Sequence, residues 1–524
     1  MFAAWVFFED RGSGISDQDL GGLESVWCQR SLERRAKVRD GYLVDEGDLP
    51  VRKDWVGQVE DLGARVRVHS RWLNAVSVDA TGSAVRAIAT LPMVRSVQPV
   101  ASYQKPRVVK EDPPKSVMSD EVYGPSLGQL DQIEVTTLHN DYGLTGQGVR
   151  IALLDTRFDR DHEALQHVKI FAEWDFVGGD AVASYEEGDP TGAGAAHGTQ
   201  TLSTIAGYRW GQLVGPAFGA DYVVARTEMS GSEEQVEEDY WVAGLEWAES
   251  LGVDILSSSL GYIDWYTYED MDGATAVVTR AADRAVANGV LVVNSAGNEG
   301  NNSWNYIIAP ADGDSVLAVG AVRSNGIRVS FSSFGPTYDG RTKPDVMAQG
   351  SSTYAASGAY STGYDYVSGT SFSAPLVAGL AALLLEAHPE WTPLNIIEAL
   401  RSTATRAHAP DNTYGWGICQ GVAALEYNPA IRLASPDVTF LASPNPFRPG
   451  DTVLFAGEDL WKPLVLNVYD CLGRLVTRTE VGPATGSWTW DATDRGGSPV
   501  APGVYFMRLS GSDPGSTHKI VLVR

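Results

Sequence analysis

The chain has 524 residues, 44% hydrophobic and 20% charged, which excludes wholesale disorder and allows three or four domains of about 150 residues each. Asp and Glu number 66 against 40 Lys and Arg, a formal net charge of −26, and so negative a surface repels phosphate backbones and argues against a nucleic-acid partner. Cys28, Cys419 and Cys471 lie far apart with no CxxC pair, which excludes a zinc knuckle or dithiol motif and allows one disulfide at most.

The first unit, 1–103, reads as β-α-β-β-α-β. AAWVFFED is a predicted strand. One amphipathic helix is predicted over 17–38, with Leu20, Leu23, Val26, Trp27 and Leu32 near helical spacing. RVRVHSRWLNAVSVDA holds two strands, SAVRAIATL a helix and VRSVQPV a last strand. This order is the ferredoxin-like α+β pattern. The opening MFAAWVFFEDRG lacks the basic start and small-residue cleavage site of a signal peptide. A polar, Pro/Lys-rich stretch (KPRVVKEDPPKS) marks 104–129 as an exposed linker.

The second unit, 130–427, alternates aliphatic runs (VRIALLD, ADYVVAR, VDILSSSL, VLVVNSAG, VLAVGAV) with helical segments. Unbroken aliphatic strands between helices predict an α/β fold, a doubly wound parallel sheet covered on both faces. Its longest nearly apolar stretch, 374–385, is too short for a transmembrane segment. The third unit, 436–524, holds seven short alternating runs between Gly, Pro and Asp turns, the pattern of an all-β immunoglobulin-like sandwich.

Three stretches of the middle unit carry the residue types of nucleophilic catalysis. Asp155 ends the strand IALLD, His197 opens the helical pattern HGTQTLSTIAG, and Ser371 precedes a strongly apolar helix in GTSFSAPLVAGLAALL. A serine hydroxyl needs a base within hydrogen-bond reach, histidine has the pKa for that task, and a buried carboxylate fixes the imidazole tautomer. Asn298, in SAGNEG, follows another aliphatic strand and could donate to an oxyanion together with the backbone N–H of Ser371. Each feature alone is commonplace as a cap or turn residue; their joint occurrence carries the weight.

The order Asp155, His197, Ser371 and the blocks around these residues resemble the subtilisin-like serine peptidases (subtilases). FSSFGPTYDGRTKPDVMAQG is similar to the segment preceding that family's serine block. The resemblance implies a serine endopeptidase acting on polypeptide substrates through an acyl-enzyme. Ser371 would be nucleophile, His197 general base and acid, Asp155 its orienter and Asn298 the oxyanion donor. Ser259, Leu260 and Gly261 match the edge strand that pairs with substrate backbone. An esterase is disfavoured, because the serine lies in GTS and not in G-x-S-x-G.

Two positions depart from the family pattern. Arg157 stands where glycine usually follows the Asp-Thr pair. If that backbone requires positive φ, Arg costs about 1–2 kcal/mol, and its cation could sit near Asp155. Arg157 is the main support for a rival expectation, a catalytically impaired surface-binding or adhesion protein of the same fold. Gln349 replaces a common proline. A decoy, His162-Glu163-x-x-x-His167, has one residue too many for a zinc helix, which rotates His167 away by about 100°; no metal site is expected there.

The first unit resembles the inhibitory propeptide of subtilases, notably in SRWLNAVSVDA, which implies that the chain's own prodomain acts as chaperone and inhibitor until the linker is cut. The third unit resembles type IX secretion sorting domains and hook-capping β-sandwiches, through SPNPFRPGDTVLF, LVLNVYDCLGRLV, WTWDATDRGG and VAPGVYFMRL. That likeness implies contact with secretion machinery and an extracellular or cell-surface location, with the true start upstream of Met1. Trp488 and Trp490, two apart on one predicted strand, are expected in its core and not as a sugar platform. No cofactor is required; structural calcium is compatible with the family, but no loop has recognisable calcium spacing.

Overall fold

The structure, a computed structural model, describes residues 1–11, 17–25, 27–39, 41–100, 109–111, 118–185, 196–229, 237–263, 265–358 and 361–428. Beyond these it describes 439–441, 453–456, 464–470, 475–481, 487–488, 490, 492–494, 498–510 and 517–523. Two compact units emerge, Met1–Tyr427 and Asn428–Arg524.

The larger unit opens with β1 (Phe2–Phe8), α1 (Asp17–Glu24), α2 (Gln29–Arg35), α3 (Lys53–Asp61), β2 (Arg65–Ser70), β3 (Ala75–Ala80), α4 (Gly82–Ile88) and β4 (Val94–Pro99). The sheet order is β2-β3-β1-β4, with every pairing antiparallel, as the ferredoxin-like pattern requires. Alternation along β1 assigns its two faces. Ala4, Val6 and Phe8 pack with Val56 and Val59 of α3 and Ala84 and Ile88 of α4, whereas Trp5 and Phe7 face the opposite core.

The helix predicted over 17–38 is corrected in two respects. It is two helices, α1 and α2, with Cys28 as the N-cap of the second: its Sγ accepts from Ser31 N at 3.4 Å. Moreover, neither is the first helix of the ferredoxin pattern; α3 is. The buried residues of α2 are Ser31, Arg34 and Arg35, so its inward face is polar and charged, and apolar periodicity could not mark it.

Of the predicted linker, 104–108 and 112–117 lie outside the described residues. β5 (Val109–Glu111) pairs antiparallel with β16 (Tyr364–Ser368), and α5 (Leu127–Asp131) already begins inside the linker's predicted span.

Beyond α6 (Val135–Tyr142) come β6 (Arg150–Asp155), β7 (Lys169–Asp175), α7 (His197–Ala206), the short pair β8 (Tyr208–Arg209) and β9 (Leu213–Val214), and β10 (Asp221–Arg226). These lead to α8 (Glu237–Ser250), β11 (Ile255–Ser258), α9 (Val277–Ala287), β12 (Leu291–Ser295), β13 (Leu317–Val322), β14 (Val346–Gln349) and β15 (Thr353–Ala356). After β16 follow α10 (Thr370–Ala387), α11 (Pro393–Thr403) and α12 (Gly421–Leu425). Seven strands form one sheet, β14-β13-β12-β11-β6-β10-β7, all pairings parallel.

The strands read as unbroken aliphatic runs because both faces are buried. In β6, Ile151 and Leu153 enter the core shared with α7 and α10, while Ala152 and Leu154 enter the core shared with α8 and α9. Trp5, Phe7, Trp72 and Leu73 of the first hundred residues join that second core. α10 is apolar and long enough, by length and composition, to cross a membrane, yet it is a buried core helix; starting at Thr370, it is longer than the apolar stretch 374–385.

In the second unit, β17 (Thr439–Leu441), β18 (Val453–Ala456) and β21 (Ser487–Trp488) form one antiparallel sheet. β19 (Leu464–Asp470), β20 (Leu475–Val481), β22 (Gly503–Ser510) and β23 (Thr517–Leu522) form another. Trp490 is buried edge-on to Tyr505 at 5.1 Å, with its Nε1 donating to Thr493 O. The side chain of Trp488, Cys471 and most of SPNPFRPGDTVLF lie outside the described residues.

Candidate active site

Parallel strands share one C-terminal edge. β10 follows on one side of β6 and β11 on the other, so the crevice beyond these ends is the switch point where ligands bind in open α/β sheets. Asp155 stands at the end of β6. Ser259, Leu260 and Gly261 leave the end of β11, and Asn298 lies three residues past β12.

Asp155 is 1% exposed and both of its oxygens are engaged. Oδ1 accepts from Thr156 N at 2.7 Å and faces His197 Nδ1 at 2.7 Å, while Oδ2 accepts from Thr201 Oγ1 at 3.1 Å. His197 opens α7 and Thr201 lies one turn on, so a single helix presents both partners to the carboxylate. With Nδ1 bound to an anion, the neutral imidazole carries its proton there and keeps Nε2 as the basic nitrogen. The ring packs on Phe372, the residue after Ser371, at 5.9 Å between centroids. That contact brings the imidazole to the start of α10.

Ser371 is the second residue of α10 and 8% exposed. Its Oγ donates to Ser259 O in a long bond of 3.4 Å, and Ser259 Oγ donates back to Ser371 O at 2.8 Å. The helix start and the strand exit are therefore tied together. Catalytic hydrogen bonds are often loose until substrate is bound.

Asn298 Oδ1 accepts from Thr370 N at 2.8 Å and Thr370 Oγ1 at 3.0 Å. A backbone N–H can only donate, so the atom facing it is the oxygen, and the amide Nδ2 is fixed on the other branch. At Gly369 (φ +156°) a Cβ would stand 3.5 Å from Asn298 Nδ2 and 3.7 Å from Ser371 N. These two donors border one space, which the absence of a side chain at 369 keeps open. A negatively charged oxygen fits there.

Leu260 is 2% exposed, and its carbonyl accepts from Asn294 Nδ2 at 2.9 Å. Sequence reasoning missed Thr201, Thr370, Phe372 and Asn294, which orient the predicted residues. All four stand inside the sequence blocks that carry the predicted residues, but nothing local tells them from ordinary helix and strand positions.

Arg157 does not behave as expected. Its backbone is not left-handed, so the anticipated strain is absent. Its guanidinium is buried, donating to Ser184 O at 2.6 Å and standing 3.7 Å from Asp175, which also pairs with Arg226 at 2.6 Å. Arg157 thus ties the turn after β6 to the ends of β7 and β10, and it no longer favours an impaired site. Gln349 Nε2 donates to Ser352 O at 3.2 Å.

The decoy residues are engaged elsewhere. His162 Nε2 meets Gly363 O at 2.7 Å, Glu163 accepts from Tyr364 Oη and pairs with Arg209, and His167 packs on Tyr208, its pKa lowered by burial. Among the described residues no three His, Cys, Asp or Glu side chains gather as metal ligands. Cys28 and Cys419 are both free thiols, and burial pushes the latter up to about 12.

A family model described as the subtilase family matches residues 146–417, and one described as a peptidase S8 propeptide domain of Bacteroidota matches residues 3–115. Subtilisin NAT of Bacillus subtilis subsp. natto is 32% identical over 408 residues, 77% of this chain and 92% of that protein. Subtilisin of Bacillus pumilus is 35% identical over 279 residues, 53% of this chain and 90% of that protein. Among solved structures, fervidolysin of Fervidobacterium pennivorans, described as a keratinolytic enzyme related to subtilisin, superposes with a TM-score of 0.58 at 24% identity. That superposition covers 88% of this chain and 70% of fervidolysin and bears on fold alone.

Proposed function

The chain belongs to the subtilase family of serine peptidases, with that family's propeptide domain ahead of the catalytic unit, and we propose that Asp155, His197 and Ser371 are its triad and Asn298 its oxyanion donor. It is a serine endopeptidase made as a precursor. The observation that supports the residue assignment is the buried 2.7 Å contact of Asp155 with His197, whose ring packs on Phe372, the residue after Ser371.

In this reading Ser371 Oγ rotates from Ser259 O to His197 Nε2 and attacks the substrate carbonyl carbon as Nε2 takes its proton. The carbonyl π electrons move to oxygen, which sits against Asn298 Nδ2 and Ser371 N. Asp155 stabilises the imidazolium without taking its proton. The tetrahedral centre collapses, the C–N bond breaks, and Nε2 delivers the proton to the leaving amine. Water then repeats the sequence on the acyl-enzyme. Substrate backbone pairs with Ser259, Leu260 and Gly261. No cofactor is needed, and no calcium site is assigned. A fluorophosphonate probe tests the reading: the processed wild type should label and Ser371→Ala should not. A wild type as blank as Ser371→Ala overturns it.

The domain limits of this reading are a prodomain over 1–103, a cleaved linker over 104–129, a peptidase over 130–427 and a sorting or anchoring sandwich over 436–524. The sandwich rests on two antiparallel sheets of three and four strands and on the motif likeness to type IX sorting domains. Export to the cell surface or medium follows from that likeness. Deleting 436–524 should abolish export; unchanged export would remove the tail's role.

A further inference from the structure

We infer that Ile308 fills the subsite for the residue whose carbonyl is attacked, and restricts that residue to Gly, Ala or another small side chain. The inference rests on the catalytic reading above. The attacked carbonyl carbon must lie over Ser371 Oγ with its oxygen toward Asn298 Nδ2 and Ser371 N. The acyl residue therefore lies alongside Gly297 and Asn298. Its backbone also follows the segment Ser259–Leu260–Gly261, which leaves the end of β11. Its side chain must enter between these two backbones, and each wall carries a glycine there.

The space between those walls is occupied. A Cβ on Gly261 would stand 2.2 Å from Ile308 Cδ1 and 2.6 Å from its Cγ1. A Cβ on Gly297 would stand 3.1 Å from both of the same atoms. One isoleucine side chain therefore reaches both glycines, and it is 2% exposed. Its segment is held to both walls: Ile308 N donates to Ala296 O at 3.4 Å, and Tyr262 N donates to Ala309 O at 2.9 Å.

The neighbouring Ile307 has a different task. It packs with Ala296, Ala311 and Ala318 in a separate small core, to which Ile308 does not belong. Ile308 can thus be truncated without opening that core. An aromatic or leucine side chain would have to displace a branched side chain held between two backbones. Close packing resists added volume at such a spot.

The test uses the full chain after processing, with peptide p-nitroanilides that differ only in Ala, Leu or Phe before the cleaved bond. The wild type should cleave the Ala substrate at least tenfold more efficiently, by kcat/KM, than the Phe substrate. Ile308→Gly should raise kcat/KM for Phe by tenfold or more and move the preference toward large side chains; Ile308→Ala should shift it part of the way. Labelling by the fluorophosphonate probe normalises the active fraction of each variant. A labelled wild type that accepts Phe as readily as Ala overturns the inference and leaves the catalytic reading standing. So do labelled variants with unchanged preference. A wild type that does not label overturns the catalytic reading itself, and the inference with it.

Discussion

Asp155→Asn is expected to lower kcat by about 10⁴-fold, the loss that follows when the orienting carboxylate of a serine triad becomes an amide. The reason lies in donors and acceptors. Asp155 Oδ1 faces His197 Nδ1 and also accepts from Thr156 N, while Oδ2 accepts from Thr201 Oγ1. A carboxylate meets all three as acceptor. An amide has one oxygen and one NH2. If the oxygen stays with Thr156 N, as a backbone donor demands, the NH2 turns toward Thr201. If the NH2 faces His197 instead, it requires an unprotonated Nδ1 and leaves the proton on Nε2, where the base is needed. Either arrangement also leaves the imidazolium without its anion. Peptide hydrolysis by Asp155→Asn and wild type at neutral pH checks this. A loss below tenfold would remove Asp155 from the triad.

Glu249→Ala is expected to destabilise the precursor by about 3–5 kcal/mol, the usual result of removing one member of a buried ion pair. Glu249 lies on α8, is fully buried, and receives Ser31 Oγ at 3.0 Å, Arg35 Nε at 2.9 Å and Arg34 Nη2 from α2 of the prodomain. Arg35 also binds Asp48 through both terminal nitrogens, at 2.8 and 2.9 Å. Burial opposes its charge, but its bonds to Asp48 and Glu249 hold the guanidinium above its ordinary value. Without Glu249, the buried Arg34 loses its carboxylate and Arg35 keeps one of two. The effect belongs to the interface. In processed enzyme freed of its prodomain, residue 249 faces water and the same change should cost under about 1 kcal/mol. Unfolding of the precursor in a Ser371→Ala background, compared with the processed form, separates the two. Equal losses in both would refute the clamp.

The same interface carries a pH dependence of defined sign. Asp239 on α8 lies buried under the prodomain, with Ser77 and Arg67 as partners. Burial pushes its pKa up to about 6 from an ordinary 3.8, more than Arg67 pulls it down. Glu246, bonded to Ser70, is raised for the same reason. A carboxyl group raised in the folded state contributes stability that is complete below about 4 and lost as pH rises through about 6. Acidification from pH 7 to 5 should therefore tighten this contact. The Ser371→Ala precursor should lose part of its pH slope in that window when Asp239→Asn is added.

Much of the proposed site was legible in the sequence because its residues stand at chain turning points. Asp155 closes an aliphatic run, His197 and Ser371 open helices, and Asn298 follows a strand into a glycine-bearing loop. Local composition marks all four places. The parallel sheet was legible too, since strands buried on both faces cannot alternate. The prodomain was read less well. Apolar spacing suggested one helix over 17–38, whereas α2 buries Arg34 and Arg35 against Glu249. Hydrophobic periodicity cannot report a face that is buried by charge pairing.

Glu249 and Asp239 are buried and paired with prodomain arginines, so they add nothing to the net charge of −26. The sequence alone determined the reaction class and the propeptide ahead of the peptidase, and it singled out the four residues proposed for catalysis, because those depend on residue type and local pattern. Only the tertiary structure decided which way the Asn298 amide turns, where the Arg157 cation goes and what stands between Gly261 and Gly297. Each of these depends on a partner that is distant in sequence and becomes a neighbour only when the sheet is assembled.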